Sequence, residues 1–197
     1  MKKCIAFAAA AAALLIAGGA QAQARTAASP LYGELGYTQL KLSGEGLSVK
    51  PNMIRGIVGY DFHPNFAVEG MLAFGAGDDS QTFTESAGGT TATGTVNLKV
   101  QNAYGVYLKP KADLGAVELF GRLGYTHARV KGSEVITVNG ALFSSDSATD
   151  SDGGFSYGLG ANWKFTPNAY VGVDYMHYYK KDGVKAEGFT VGVGFRF

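Results

Sequence analysis

One cysteine, Cys4, is all that the 197 residues contain. It falls in an N-terminal segment read below as cleaved, so disulfides, thiol catalysis and thiolate metal sites are excluded from the rest. Charge is scarce too: Asp, Glu, Lys and Arg make up 17%, against about a quarter in soluble domains. The 17 basic and 16 acidic residues nearly cancel, which leaves no basic footprint for nucleic acid. Five prolines without a Gly-X-Y period exclude a collagen. After the N-terminal segment no apolar run reaches the roughly 18 residues of a membrane-crossing helix. A mean hydropathy of +0.03 is too polar for a helical membrane bundle. What is abundant is glycine, 29 residues, about twice the ordinary share. Aromatics at 12% are too many for a disordered chain.

The N-terminus carries Lys2 and Lys3, an apolar run from Ile5 to Ala17, and then small residues. Ala20-Gln21-Ala22 and Ala22-Gln23-Ala24 both fit an A-x-A cleavage site. This is the layout of a secretory signal peptide, 1–24, cleaved after Ala22 or Ala24. Its apolar run is too short to span a bilayer. A short lead, 25–30, and one domain, 31–197, follow.

That domain alternates in period 2 almost throughout. Strands are expected near 31–42, 52–62, 66–76, 95–109, 116–130, 154–165, 169–179 and 188–197. Most are long enough for a tilted membrane crossing of about 9–11 residues. Short connectors at His63-Pro64-Asn65, 110–115 and Thr166-Pro167-Asn168 alternate with long ones at 43–51, 77–94, 131–153 and 180–187. Strict alternation of short and long suits an up-and-down barrel with periplasmic turns and external loops. Gly88-Gly89 and Asn139-Gly140 lie mid-loop, where each is able to fold its loop back as a hairpin.

The two faces differ in chemistry. One row per strand is apolar, such as Val117, Leu119, Leu123 and Tyr125. The opposite row is small or charged, such as Ser156, Gly158, Gly160, Asn162 and Lys164. Glycine weakens a water-facing strand but fits a narrow eight-stranded lumen. The apolar rows are therefore expected to face lipid. The lumen charges are then Glu34, Asp61, Glu69, Glu118 and Asp174 against Arg55, Lys99, Arg122, Lys164 and Arg196. Strand order makes Glu34 and Arg196 neighbours, and the charges are expected to pair into a neutralising network. Aromatics gather at strand ends: Tyr37, Tyr60, Phe62, Phe66, Tyr125, Trp163, Phe165, Tyr175 and Tyr179. They are expected to form two interfacial girdles.

The C-terminal string Thr190-Val191-Gly192-Val193-Gly194-Phe195-Arg196-Phe197 resembles the assembly signal of small outer-membrane β-barrel proteins of Gram-negative bacteria, of the OmpA/OmpX and opacity-porin type. So does the turn string Phe62-His63-Pro64-Asn65-Phe66-Ala67-Val68-Glu69-Gly70. The resemblance implies an all-β, eight-stranded antiparallel up-and-down transmembrane β-barrel in the outer membrane. It also implies contact with the bilayer and lipopolysaccharide, and recognition of Thr190, Gly192, Phe195 and Phe197 by the barrel assembly machinery.

Catalytic and cofactor motifs are weak. Some outer-membrane barrels hydrolyse lipid with a His followed two residues later by Ser. Here Arg129 follows His127 and Tyr179 follows His177, and a base without a nucleophile defines no such site. Gly192-Val193-Gly194 is strand, not a dinucleotide-binding turn. Asp146, Asp150 and Asp152 lack the glycine and bidentate glutamate of an EF-hand. The expectation is a non-enzymatic barrel without cofactor or metal, with external loops for envelope integrity or surface interaction such as adhesion or immune evasion. The alternatives are a small pore for ions or solutes, then a periplasmic ligand-binding barrel or a lipid A-modifying enzyme.

Overall fold

The computed structural model describes residues 29–44, 47–77, 79–181 and 183–197. The signal peptide expected at 1–24 lies outside them. Ten strands run along the described residues: β1 Leu31–Gly44, β2 Leu47–Val49, β3 Asn52–His63, β4 Phe66–Gly77, β5 Asp79–Ala87, β6 Thr90–Asp113, β7 Val117–Val138, β8 Ala141–Lys164, β9 Ala169–Lys181 and β10 Val184–Arg196. Eight of them pair antiparallel in the order β1-β3-β4-β6-β7-β8-β9-β10. β10 then pairs with β1 from Tyr32↔Arg196 to Ser43↔Lys185, so the ladder closes on itself. Closure leaves no open edge in the ring. Among the described residues β2 pairs with β1 alone, and β5 with β6 alone.

Burial alternates along each strand of the ring, as period-2 side chains require. The buried row faces the lumen and the exposed row faces outward. Val58, Leu72, Val106, Leu123, Leu159 and Val193 are all exposed on that outward face. A single soluble sheet would bury such a row. A closed sheet turned apolar side out needs an apolar surrounding.

Two of the long connectors are sheet rather than loop. β7 and β8 continue as a paired ladder to Val138↔Ala141 around Asn139-Gly140. Both turn residues have positive φ (49° and 80°), the requirement of a two-residue type I′ hairpin. β5 and the start of β6 fold around Gly88-Gly89 with φ of 58° and 82°. β6 also pairs with β7 from Ala92↔Val138 down to Leu98↔Gly132. A four-stranded sheet thus projects from one end of the ring. On one of its faces hydroxyls pair across β5 and β6: Thr82 with Thr95, Thr84 with Thr93 and Ser86 with Thr91.

The join between ring and projection is a bulge in β6, where the register with β7 shifts between Val100 and Asn102. Below it, Ala103, Tyr107 and Lys109 are buried inward while Tyr104, Val106 and Leu108 are exposed. Above it the even residues turn inward and Val100 is buried. This corrects the expectation that Lys99 faces the lumen: Lys99 is exposed, and Val100 takes the inward position. One extra residue reverses every side chain beyond it.

Candidate functional site

The lumen is filled by large side chains lying over glycines of the neighbouring strand. Tyr32 stands opposite Gly59, Tyr107 opposite Gly124, Phe120 opposite Gly160, Tyr170 opposite Gly194 and Met176 opposite Gly158. In each pair a Cβ on the glycine would come within 2.7 Å of its partner residue. This is the physical reason for the glycine excess: ring and thioether occupy space that any second side chain would need.

Between these rings lies a network of charges. Arg122 is fully buried. Its Nε donates to Glu69 Oε2 at 2.6 Å, Nη1 to Asp174 Oδ2 at 2.8 Å, and Nη2 to Glu34 Oε2 at 3.1 Å and Glu69 Oε1 at 3.3 Å. Arg55, also buried, donates from Nη1 to Asp174 Oδ1 at 2.9 Å and Tyr178 Oη at 3.0 Å, and from Nη2 to Glu34 Oε1 at 2.9 Å. A further short contact joins Nη2 to Asp174 Oδ2. The Tyr32 hydroxyl donates to Glu69 Oε1 at 2.6 Å. Lys109 lies 3.5 Å from Glu69 and 3.3 Å from Glu118, with its ammonium over the rings of Tyr32 and Phe120.

Toward the short-turn end, Asp61 binds Lys111 at 2.7 Å and Arg196 at 2.6 Å. Glu118 lies 3.6 Å from Lys111 and 3.7 Å from Arg196, and accepts a hydrogen bond from Asn162. Five carboxylates (Glu34, Asp61, Glu69, Glu118, Asp174) thus meet five cations (Arg55, Lys109, Lys111, Arg122, Arg196), which makes the set formally neutral. Full pairing is what lets so many charges sit away from water.

Three expectations change. Lys99 stands outside the ring, for the reason given by the bulge. Lys164 is half-buried at the short-turn end and pairs with Asp113 instead of joining the network. Glu34 and Arg196 share the β1–β10 seam but not an ion pair. Arg196 sits opposite Tyr32, one step nearer the end, and reaches Asp61 and Glu118 instead. Lys109 and Lys111 take the places of Lys99 and Lys164, and both keep the inward odd parity of Tyr107, Lys109 as the last residue of the expected strand and Lys111 just beyond it.

The aromatics stand at two levels. Tyr60, Phe62, Phe66, Trp163 and Phe165 are exposed near the short turns, and Phe195 packs edge-on against Phe197. Tyr37, Tyr125 and Tyr175 are exposed at the other level. His127 lies 5.1 Å from the Tyr104 ring and His177 stacks on Tyr157 at 4.9 Å, so both histidines belong to this second level. Tyr179 departs from the girdle. It is half-buried, and its hydroxyl donates to Asp152 Oδ2 at 2.6 Å above the ring. Thr190 is buried and shares a 2.9 Å hydrogen bond with Thr38, while Gly192 lies opposite Gly36.

Among the described residues no group of three or more His, Cys, Asp or Glu converges in a way that would hold a metal ion. Asp146, Asp150 and Asp152 lie along β8 rather than around a loop, and each accepts from the next backbone N–H.

Residues 10–197 match the family model described as outer membrane protein beta-barrel domain. No curated protein matches the sequence. Among solved structures, the chain is similar to Ail, the attachment invasion locus protein of Yersinia pestis, at 24% identity and a TM-score of 0.55, covering 86% of this chain and 99% of that one. Ail has also been solved in complex with the heparin analogue sucrose octasulfate. Neisserial surface protein A is similar at 18% identity and a TM-score of 0.53, over 87% and 99% of the two chains. The N-terminal β-barrel of Pseudomonas aeruginosa OprF is similar at 10% and 0.53, over 87% and 100%. These likenesses are of fold. With the closed ring, its apolar outer face and a family match over all but the first nine residues, the chain belongs to the outer membrane protein beta-barrel domain family, and its place is the outer membrane.

Proposed function

We propose that this barrel is a non-enzymatic, non-conducting anchor whose work is done at the cell surface, where it holds the projecting sheet of β5–β8 for contact with a ligand. The observation that carries the reading is the lumen network, centred on an Arg122 that is fully buried between three carboxylates. Ions crossing the lumen would have to part charges that satisfy one another, at a cost of several kcal/mol. Meanwhile the chain extends β6, β7 and β8 to 22–24 residues each, about twice a membrane crossing. That length supports a role outside the bilayer.

The short-turn end, which carries the C-terminal aromatic, is assigned to the periplasm, and assembly to the barrel assembly machinery acting on Thr190, Gly192, Phe195 and Phe197. Lys99 and Lys131 are direct cross-strand partners, with Arg129 one step below on the same outer face. These three cations stand together on the outer face just above the second aromatic level. This supports contact with phosphates of lipopolysaccharide. Ail's complex with a polysulfated heparin analogue is in keeping with surface binding of this kind.

Planar-bilayer recording of the purified barrel tests the reading. The expected result is no steady conductance, alongside loss of surface binding when 79–98 and 132–149 are replaced by short turns. Large steady conductance would make the protein a pore instead.

A further inference from the structure

Above the ion network the lumen changes character. Inward positions there are apolar: Leu40, Met53, Val100, Ala128, Val130 and Val184 wall a cavity of about 510 Å³ that opens at the projecting end. Its floor is closed by polar contacts. Tyr178 receives a hydrogen bond from Arg55, and Tyr107, Thr126 and Ser156 are joined by bonds of 2.6 and 2.7 Å. The outer face at this level is polar instead, with Lys41, Lys99, Arg129 and Lys131 exposed. The polarity of the wall has therefore inverted relative to the membrane-embedded ring, and in β6 the bulge performs the inversion. The result is a bowl of apolar surface facing the medium, of a volume that suits a small organic ligand.

The charges lining this bowl are both carboxylates, Asp150 and Asp152 on β8. Asp152 accepts from Tyr179 at 2.6 Å and lies 3.4 Å from Lys181. Asp150 accepts from the backbone of Ser151. Lys181 is thus engaged at the rim with Asp152, and Asp150 adds a second carboxylate to the lining of the bowl.

We propose that the outer mouth of the barrel is a binding site for a small cationic amphiphile, with its apolar body in the bowl and its amine against Asp150 and Asp152. The apolar walls supply burial, and the two carboxylates select the sign of the head group. A neutral molecule of the same shape keeps the first contribution and lacks the second. The closed floor makes this a receiving site, entered and left from outside.

Three naphthalene probes of one shape test it: 2-naphthylmethylammonium, 2-naphthylmethanol and 2-naphthylacetate. They are titrated into the full mature barrel in lipid nanodiscs carrying ¹³C-methyl methionine. Met53 lines the cavity, whereas Met71 and Met176 lie in the core below it, so the Met53 signal reports the site. The expected result is a saturable Met53 shift, with the ammonium binding at least tenfold more tightly than the alcohol and the acetate weakest. Asp150→Asn/Asp152→Asn should bring the ammonium down to the level of the alcohol and leave the alcohol unchanged. Ala128→Phe should abolish all binding, with Leu42→Phe as the blocking variant if the first fails to show heat-modifiable folding. No saturable shift, equal affinity for all three probes, preference for the acetate, or binding untouched by both blocking variants would each overturn the proposal.

Discussion

Replacing Arg122 with methionine removes the guanidinium that ties β7 to β1, β4 and β9 and leaves a flexible apolar stem in its place. The side chain donates four hydrogen bonds to three carboxylates. Each charged hydrogen bond contributes about 1.5–3 kcal/mol net, yet the four are not additive, because the acids retain other partners. Glu69 keeps Tyr32 and Lys109; Glu34 and Asp174 keep Arg55. What remains is one uncompensated negative charge in a dry site, a loss of about 3–5 kcal/mol. At about 1.4 kcal/mol per decade, that is two to nearly four orders of magnitude in the folding equilibrium. Urea unfolding in lipid vesicles measures it through Trp163, the one tryptophan of the chain, which stands exposed at the lower aromatic level. Arg122→Met/Glu69→Gln restores neutrality and should recover at least about 1 kcal/mol of that loss, a coupling of the size seen between residues in one network. If Arg122→Met stays within about 0.5 kcal/mol of the wild type, or if Glu69→Gln only adds to its loss, the charge-balance reasoning is refuted.

Other outcomes are expected. Val173→Arg and Leu123→Arg, on the outward face, should each destabilise the barrel in vesicles by about 2–4 kcal/mol, and tolerance of both would mean that the faces are reversed. Gly124→Val would set a Cβ 2.0 Å from the carbonyl oxygen of Val106 and should cost about 1–3 kcal/mol by overpacking. Gly70→Val, with nothing within 4 Å of its Cβ position, should be near neutral in the same unfolding assay. Deletion of Phe197 should lower outer-membrane levels and induce envelope stress more than it alters the stability of refolded barrel, which fractionation and vesicle unfolding separate. Asp113, hydrogen-bonded by Lys164 and by the Gly115 backbone, is held below the usual carboxylate range. A lowered folded-state value means that the bond stabilises above about pH 4, the unfolded range, and that this is lost as pH falls through the lowered value. Half-exposed as it is, the pair should contribute less than about 1 kcal/mol, so Asp113→Asn should flatten the acid limb of stability slightly, as thermal melts between pH 2 and 7 would read.

The parts of the fold that the sequence carried plainly are those set by local periodicity. The outward row Phe189, Val191, Val193, Phe195 and the inward row Thr190, Gly192, Gly194, Arg196 follow from a period of two with no interruption, and β10 keeps both. The type I′ hairpin at Asn139-Gly140 follows from two residues that accept positive φ. Which strand positions were read correctly ended where periodicity ceased to be local. The bulge in β6 leaves only a weak trace, Asn102 in an apolar row, and that polar residue reads equally as a tolerated exception. Once it is taken as a register shift, Lys99 moves out, Val100 moves in, and the apolar bowl becomes visible in the alternation Leu98, Val100. Lys109 closes the expected strand and Lys111 falls beyond it, because the proline between them, Pro110, reads as a strand stop. Yet Pro110 lies opposite Phe66 in the β4–β6 register, and Lys111 donates its N–H to the Asn65 carbonyl just past the end of β4. β4 has turned away at His63–Phe66 by that point, so little ladder remains for the proline to break. The pairing of the charges was beyond any reading of one strand, because Arg122 meets Glu34, Glu69 and Asp174 from three strands whose separation across the lumen depends on how the ring closes. Charge count alone argues that a closed lumen must be neutral. Five against five is a condition that several assignments meet, and only the positions of the glycines, which decide where Tyr32, Phe120 and Tyr170 lie, fix which five cations fit between them.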